Sequence, residues 1–77
     1  MFRISIGFPP SRWRTCEVRT PRRALWVLQD MLPRQEDKER IENAMAWINE
    51  KYNTPKAMER VDSGGSAALM LRVEYTP

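Results

Sequence analysis

The residues of this chain best suited to chemistry are arginines and tryptophans near its start, above all the consecutive Arg12, Trp13 and Arg14. A guanidinium group forms paired hydrogen bonds with a phosphate or a carboxylate. An indole ring stacks on bases, or fills a pocket on a protein partner. The three residues together therefore indicate a surface that binds an anionic partner.

Two other structures would explain the same cluster. A sheet that also displays Phe2, Arg3 and Phe8 would form a platform for single-stranded nucleic acid, because exposed rings stack on bases. Alternatively, Trp13 belongs to the core, and the arginines beside it only keep an edge strand from pairing with other chains. The chain lacks the spaced aromatic residues of an RNA-recognition motif and has no helix-turn-helix pattern, so nucleic acid is the second choice of partner.

Catalytic groups are scarce in this sequence. It has no histidine and a single cysteine, Cys16. Histidine is the commonest acid–base group near neutral pH, and a catalytic cysteine needs a base to form its thiolate. We therefore expect no enzyme activity, no metal, no cofactor and no intrachain disulfide, and we interpret Cys16 as a half-buried thiol in a strand.

Four carboxylates fall in one predicted helix: Glu36, Asp37, Glu39 and Glu42. Two-metal or glycosidase chemistry requires carboxylates that converge on a cleft from separate elements. A single helix face does not provide that arrangement. We interpret the four as a solvated helix face.

Charge is distributed unevenly along the chain. Residues 1–34 contain seven arginines, no lysine and two acidic residues, which gives +5, whereas residues 35–77 contain six basic and eight acidic residues, which gives −2. A basic half of this kind favours a negatively charged partner, and the alternative is a solvated basic face with no specific ligand. The first choice of partner is a protein with an acidic surface.

Interface chemistry is also suggested by three tryptophans and five methionines, because Trp, Met and Arg are enriched in protein interfaces. Trp47 lies about 100° from Ile48 on a helical wheel, off the apolar stripe of its helix. It either widens the core against a neighbouring helix or contacts a partner. The predicted partner-binding residues are Arg12, Trp13, Arg14, Arg22, Arg23 and Trp47.

The length of 77 residues predicts one domain, spanning residues 1–77. A core of this size without a disulfide or metal often depends on a partner or a second copy, so a homodimer is an alternative. No apolar run approaches the length of a membrane span, and the N-terminus has no cleavable signal pattern. We therefore expect a cytoplasmic protein with no membrane partner.

Strands are predicted at both ends of the chain. Apolar residues alternate through residues 2–8 and 67–75, which indicates strands with one buried face, and residues 11–20 read as an edge strand. Residues 56–62 predict either a short helix or a strand that pairs with the last one across the turn at Gly64 and Gly65.

Two helices are predicted between these strands. Thr20 caps the first, residues 21–32, and that helix is apolar most of the way round, which suggests burial on two sides. The second, residues 34–52, has an apolar stripe of Ile41, Met45, Ile48 and Tyr52, and Asn53 is its predicted C′ residue. The predicted fold is α+β: a small antiparallel sheet of three to four strands with two helices packed on one face.

In size and style, the whole chain resembles the small accessory proteins of bacteriophages and mobile elements, although no motif carries the likeness. Those proteins are single domains, often without catalytic groups, that bind and block host machinery, including defence complexes. The resemblance implies an inhibitor or modulator that occupies a protein partner's surface. The alternative is a small RNA- or single-stranded-DNA-binding protein that uses the arginine-rich half.

Overall fold

Four antiparallel strands form a single sheet in the computed structural model, which describes residues 1–8, 12–55, 58–62 and 68–77. The strands are β1 (Phe2–Gly7), β2 (Trp13–Val18), β3 (Met58–Asp62) and β4 (Met70–Tyr75). Their order in the sheet is β2-β1-β4-β3, so β1 and β4, from opposite ends of the chain, lie side by side at its centre. Of residues 56–62, predicted as either helix or strand, residues 58–62 form the edge strand β3, paired with β4; residues 56–57 and the predicted turn at Gly64 and Gly65 lie outside the described residues.

Two helices connect the two halves of the sheet: α1 (Pro21–Met31) and α2 (Lys38–Lys51). The hydroxyl of Thr20 accepts a hydrogen bond from the backbone N–H of Arg23 at 3.3 Å, which confirms the predicted N-cap of α1. This helix ends one residue earlier than predicted, at Met31, because Pro33 disfavours helical backbone at Leu32, whose φ and ψ are −124° and 69°.

The second helix begins later than predicted. Residues Gln35–Asp37 form a single 3-10 turn, and α2 begins at Lys38. At the other end Asn53 has a φ of 63°, the left-handed conformation that a C′ residue adopts, as predicted.

The core lies between one face of the sheet and the two helices, which confirms the predicted α+β fold. Helix α1 packs on β1 and β2, and α2 packs on β4. Alternate residues of the two central strands provide the sheet side of this core: Phe2, Ile4, Ile6, Leu71, Val73 and Tyr75. The helices contribute Ala24, Leu28, Ala44 and Ile48, and the remaining buried apolar residues are Val18 and Leu32.

Several predictions about exposure were wrong. Phe2, which the alternative nucleic-acid platform needed at an exposed position, is fully buried on the apolar face that the alternation of residues 2–8 predicted. Helix α1 is not buried on two sides, since Trp26 on it is 57% exposed. Tyr52 belongs to the predicted stripe of the second helix but is 44% exposed, although its ring lies 6.5 Å from that of Phe2. Asp37 was expected on a solvated face and is buried.

Candidate functional site

The most exposed large apolar side chain among the described residues is Trp26, in the middle of α1. The guanidinium carbons of Arg22 and Arg23 each lie 6.0 Å from the centre of its ring. This geometry follows from the helix, because residues three and four positions apart lie next to each other on its surface. A cation above an indole face is attracted by the ring's quadrupole, so the two arginines hold their charges beside the ring.

The local sequence concentrates positive charge at this end of α1. Thr20 caps the helix and Pro21 occupies its first position, which places Arg22 and Arg23 at the second and third positions. The first turn contains no acidic residue. Acidic side chains are favoured there because a helix N-terminus carries a partial positive charge. The two arginines add to that charge and make this corner of the protein attractive to anions.

A shallow hollow between α1 and β2 extends the surface around Trp26. Arg14 and Trp26 line it together, along with Cys16 and Asp30. Arg14 is exposed, and Cys16 is half-buried in its strand, as predicted. We call the set of Arg14, Arg22, Arg23 and Trp26 the Trp26 face.

The consecutive Arg12, Trp13 and Arg14 do not act as one group. Side chains alternate between the two faces of a strand, so Arg14 lies on the helix side of β2 and Trp13 on the opposite side. Arg12 and Arg14 instead line one cavity of about 230 Å³ at the end of the sheet. The predicted cluster therefore contributes to two different surfaces.

Trp13 lies on the face of the sheet that carries no helix, which we call the open face. It stands directly opposite Gly7 in the strand pairing, and a Cβ on Gly7 would come within 3.2 Å of the indole ring. Arg72 lies across the sheet, with its guanidinium carbon 5.9 Å from the centre of the Trp13 ring. Charges balance on this face: Arg3 forms an ion pair with Glu17 at 3.7 Å and stands opposite Glu74 on β4.

Trp47, the remaining predicted partner-binding residue, is only partly buried and packs against the core. It does not line the hollows to which Arg12, Trp13 and Arg14 contribute. Trp26 is one of the three tryptophans that suggested an interface, but it was left out of the predicted partner-binding residues. Its spacing of three and four residues from two arginines was the available signal, but the surrounding apolar residues of α1 pointed to a buried helix.

Within the described parts of the chain, no three His, Cys, Asp or Glu side chains come close enough together to hold a metal ion. None of the helices there combines the length and the apolar character needed to cross a membrane. No protein-family model, curated protein or solved structure matches this chain. A functional interpretation therefore depends on the surfaces themselves.

Proposed function

We propose that this chain is a non-catalytic binding protein that occupies an acidic surface of a protein partner and thereby inhibits or modulates it. The Trp26 face makes the contact. The observation that carries the proposal is an exposed tryptophan whose ring centre lies 6.0 Å from the guanidinium carbons of two arginines in the first turn of the same helix.

The composition of the Trp26 face supports a protein contact. Tryptophan and arginine are the residues that most often dominate binding energy at protein interfaces, where a ring enters a pocket and the surrounding contacts exclude water. Arg22 and Arg23 have no ion-pair partner among the residues that the structure describes, so both charges are available to a partner. A carboxylate-rich surface would supply the planar, paired acceptors that guanidinium groups prefer.

Nucleic acid is the alternative partner, and the structure offers it less support. A single-stranded platform requires several exposed rings along a positively charged groove. Trp13 is exposed on the open face of the sheet, but Phe2 is buried on the opposite face. The charge of Arg3, also on the open face, is balanced by neighbouring carboxylates. The positive surface near Trp26 contains one aromatic ring.

The proposal predicts inhibition by occupation and no chemical turnover. The chain has no histidine, and Cys16 lies half-buried without a histidine to activate it. A small protein of this kind acts by covering a surface that its partner needs. This mode of action agrees with the resemblance to the accessory proteins of bacteriophages and mobile elements.

The test is affinity capture of partners from a lysate of the native host, with and without nuclease, followed by binding measurements with the purified partner. Trp26→Ser and the double variant Arg22→Gln/Arg23→Gln should each weaken binding about thirtyfold or more, the scale of an interface hot spot. Binding that survives nuclease and weakens only moderately with salt supports a protein partner, since phosphate binding falls steeply with salt.

Matched controls exist elsewhere on the surface. Phe8→Ser removes another exposed aromatic ring, which is 54% exposed, and Arg3→Gln removes an arginine from the open face of the sheet. Both variants should bind like the wild type. If the controls and the Trp26 face variants weaken binding equally, or if nuclease abolishes capture, the proposal is wrong.

A further inference from the structure

A second candidate site lies away from Trp26, at the end of the sheet. It is the cavity of about 230 Å³ that Arg12 and Arg14 help to line. Most of its wall is apolar and comes from β1, from the C-terminal end of α1 and from the residue just before β4: Ile6, Gly7, Phe8, Met31, Leu32, Pro33 and Leu69. The remaining lining residues are Arg12, Arg14, Arg34 and Asp37.

Three of the four charged lining residues form an exposed positive rim. The fourth, Asp37, is buried in an ion pair with Arg40, which does not line the cavity. Arg12, Arg14 and Arg34 are all exposed. Asp37 is 1% exposed and lies 3.4 Å from the guanidinium of Arg40, which is equally buried, so the charge of this carboxylate is balanced inside the protein. The buried carboxylate therefore does not cancel the positive rim.

One of the three rim arginines is already paired. Arg34 lies 3.5 Å from Glu36, in an exposed ion pair of the kind that contributes little to stability. Arg12 and Arg14 have no ion-pair partner among the described residues. The rim thus has at least two guanidinium groups free to bind an anion, next to an apolar interior.

We propose that this cavity binds a free medium-chain aliphatic carboxylate, with the chain inside and the carboxylate at the arginine rim. The apolar interior of the cavity suits the aliphatic chain, and the arginine rim suits the carboxylate. Burying the chain removes apolar surface from water, and paired guanidinium–carboxylate hydrogen bonds set its orientation. A bare phosphate would leave the apolar wall exposed, and a neutral hydrocarbon would leave the arginines without a partner. The volume is slightly below that of typical drug-sized ligand pockets, which suits a short chain.

The first experiment compares three probes that share one chain: octanoate, octanol and octylammonium. Calorimetry should show saturable binding of octanoate, with octanol about tenfold weaker, because the alcohol cannot form charged hydrogen bonds with the rim arginines. Octylammonium should not bind. Methyl NMR spectra should show octanoate shifting the resonances of Met31, Leu32 and Leu69.

The second experiment separates the rim from the interior. Arg12→Ala/Arg34→Ala should weaken octanoate about tenfold and leave octanol unchanged, since it removes charge and keeps the apolar wall. Leu69→Trp should weaken both ligands by filling the cavity. Arg3→Ala is the matched control, because that arginine lies on the open face of the sheet and should not affect either ligand. Arg14 stays unchanged throughout, since it also belongs to the Trp26 face.

Three results would overturn the inference. Octanoate and octanol binding equally well would mean that the arginines do not contribute. Octanoate shifting methyl groups outside the cavity would place the ligand elsewhere. A peptide with a free C-terminal leucine binding where octanoate does not would identify the ligand as a chain terminus. None of these results bears on the Trp26 variants, so this inference and the proposed function can fail separately.

Discussion

Asp37 and Arg40 form an ion pair inside the protein, at the point where the 3-10 turn joins α2. The Nη1 atom of Arg40 lies 3.4 Å from the Oδ1 atom of Asp37, and their side chains are 0% and 2% exposed respectively. The two residues are three positions apart, which brings their side chains to the same side of the helix start. Two charges that would separately be costly to bury thus compensate each other.

Removing one member of this pair should destabilise the protein strongly. Asp37→Ala leaves the Arg40 cation buried without its carboxylate, which typically costs roughly 3–5 kcal/mol. Urea denaturation of Asp37→Ala and wild type measures the difference. The double variant Asp37→Leu/Arg40→Met should be more stable than Asp37→Ala, because it leaves no buried charge. A loss below about 1 kcal/mol in Asp37→Ala would show that the pair is hydrated in solution.

Replacing Arg23 by glutamate should stabilise the fold and weaken partner binding. Arg23→Glu puts an acidic residue at the third position of α1. There its negative charge interacts favourably with the positive end of the helix dipole, and its side chain completes a capping box with Thr20. We expect a gain of about 0.5–1 kcal/mol, measured as a higher Tm. Binding to the partner should fall because the charge beside Trp26 is reversed.

The control for that variant lies further along the same helix. Gln29→Glu introduces the same carboxylate at an exposed position in the last turn of α1, where the negative end of the helix dipole disfavours it. It should not raise the Tm. If Arg23→Glu both stabilises the protein and binds the partner normally, the Trp26 face is not the contact surface.

Gly7 is required by the close approach of β2. A Cβ at this position would lie 2.6 Å from the backbone oxygen of Arg12 and 3.1 Å from the Cα of Trp13. Gly7→Ala should therefore displace the edge strand and cost about 1–3 kcal/mol, which thermal denaturation would measure. Adding Trp13→Ala should not restore stability, because the closest atom is backbone. Full rescue by that second change would mean that only the indole ring is in the way.

Ile48 should contribute more to stability than the other isoleucine of α2. Ile48 is fully buried, whereas Ile41 packs against the core with its side chain partly exposed. Ile48→Ala should cost roughly 2–4 kcal/mol, from lost burial and the cavity left behind. Ile41→Ala makes the same chemical change at the more exposed site and should cost less in chemical denaturation. A melt of Ile48→Ala that matches wild type would contradict the burial of this stripe.

Local patterns in the sequence predicted most of the elements and their buried faces. Alternating apolar residues in β1 and β4 indicated which side of each strand enters the core, because successive side chains point to opposite faces. Thr20 and Asn53 marked two helix ends, since a side-chain cap and a left-handed residue act within one turn. Such signals depend on near neighbours in the chain, so they can be interpreted without the fold.

The candidate sites were predicted only in part. Arg22 and Arg23 were predicted to bind a partner and do lie beside an exposed ring, but that ring belongs to Trp26, which was not among the predicted partner-binding residues. Trp47 was chosen for its position off the stripe and instead packs against the core. An apolar stripe shows which face of a helix points into the core. It does not show how far the neighbouring elements cover the sides of that helix.

By itself, the sequence determined the α+β composition, the apolar faces of β1 and β4 and the absence of histidine chemistry. Only the tertiary structure decided the strand order β2-β1-β4-β3, the strand conformation of β3 and the burial of Asp37 with Arg40. The physical reason is the range of the interactions. Strand pairing across the chain and the enclosure of a charge depend on residues far apart in sequence. Alternation along β2 separates Arg14 from Trp13, but only the packing of α1 on the sheet puts Arg14 on the helix side.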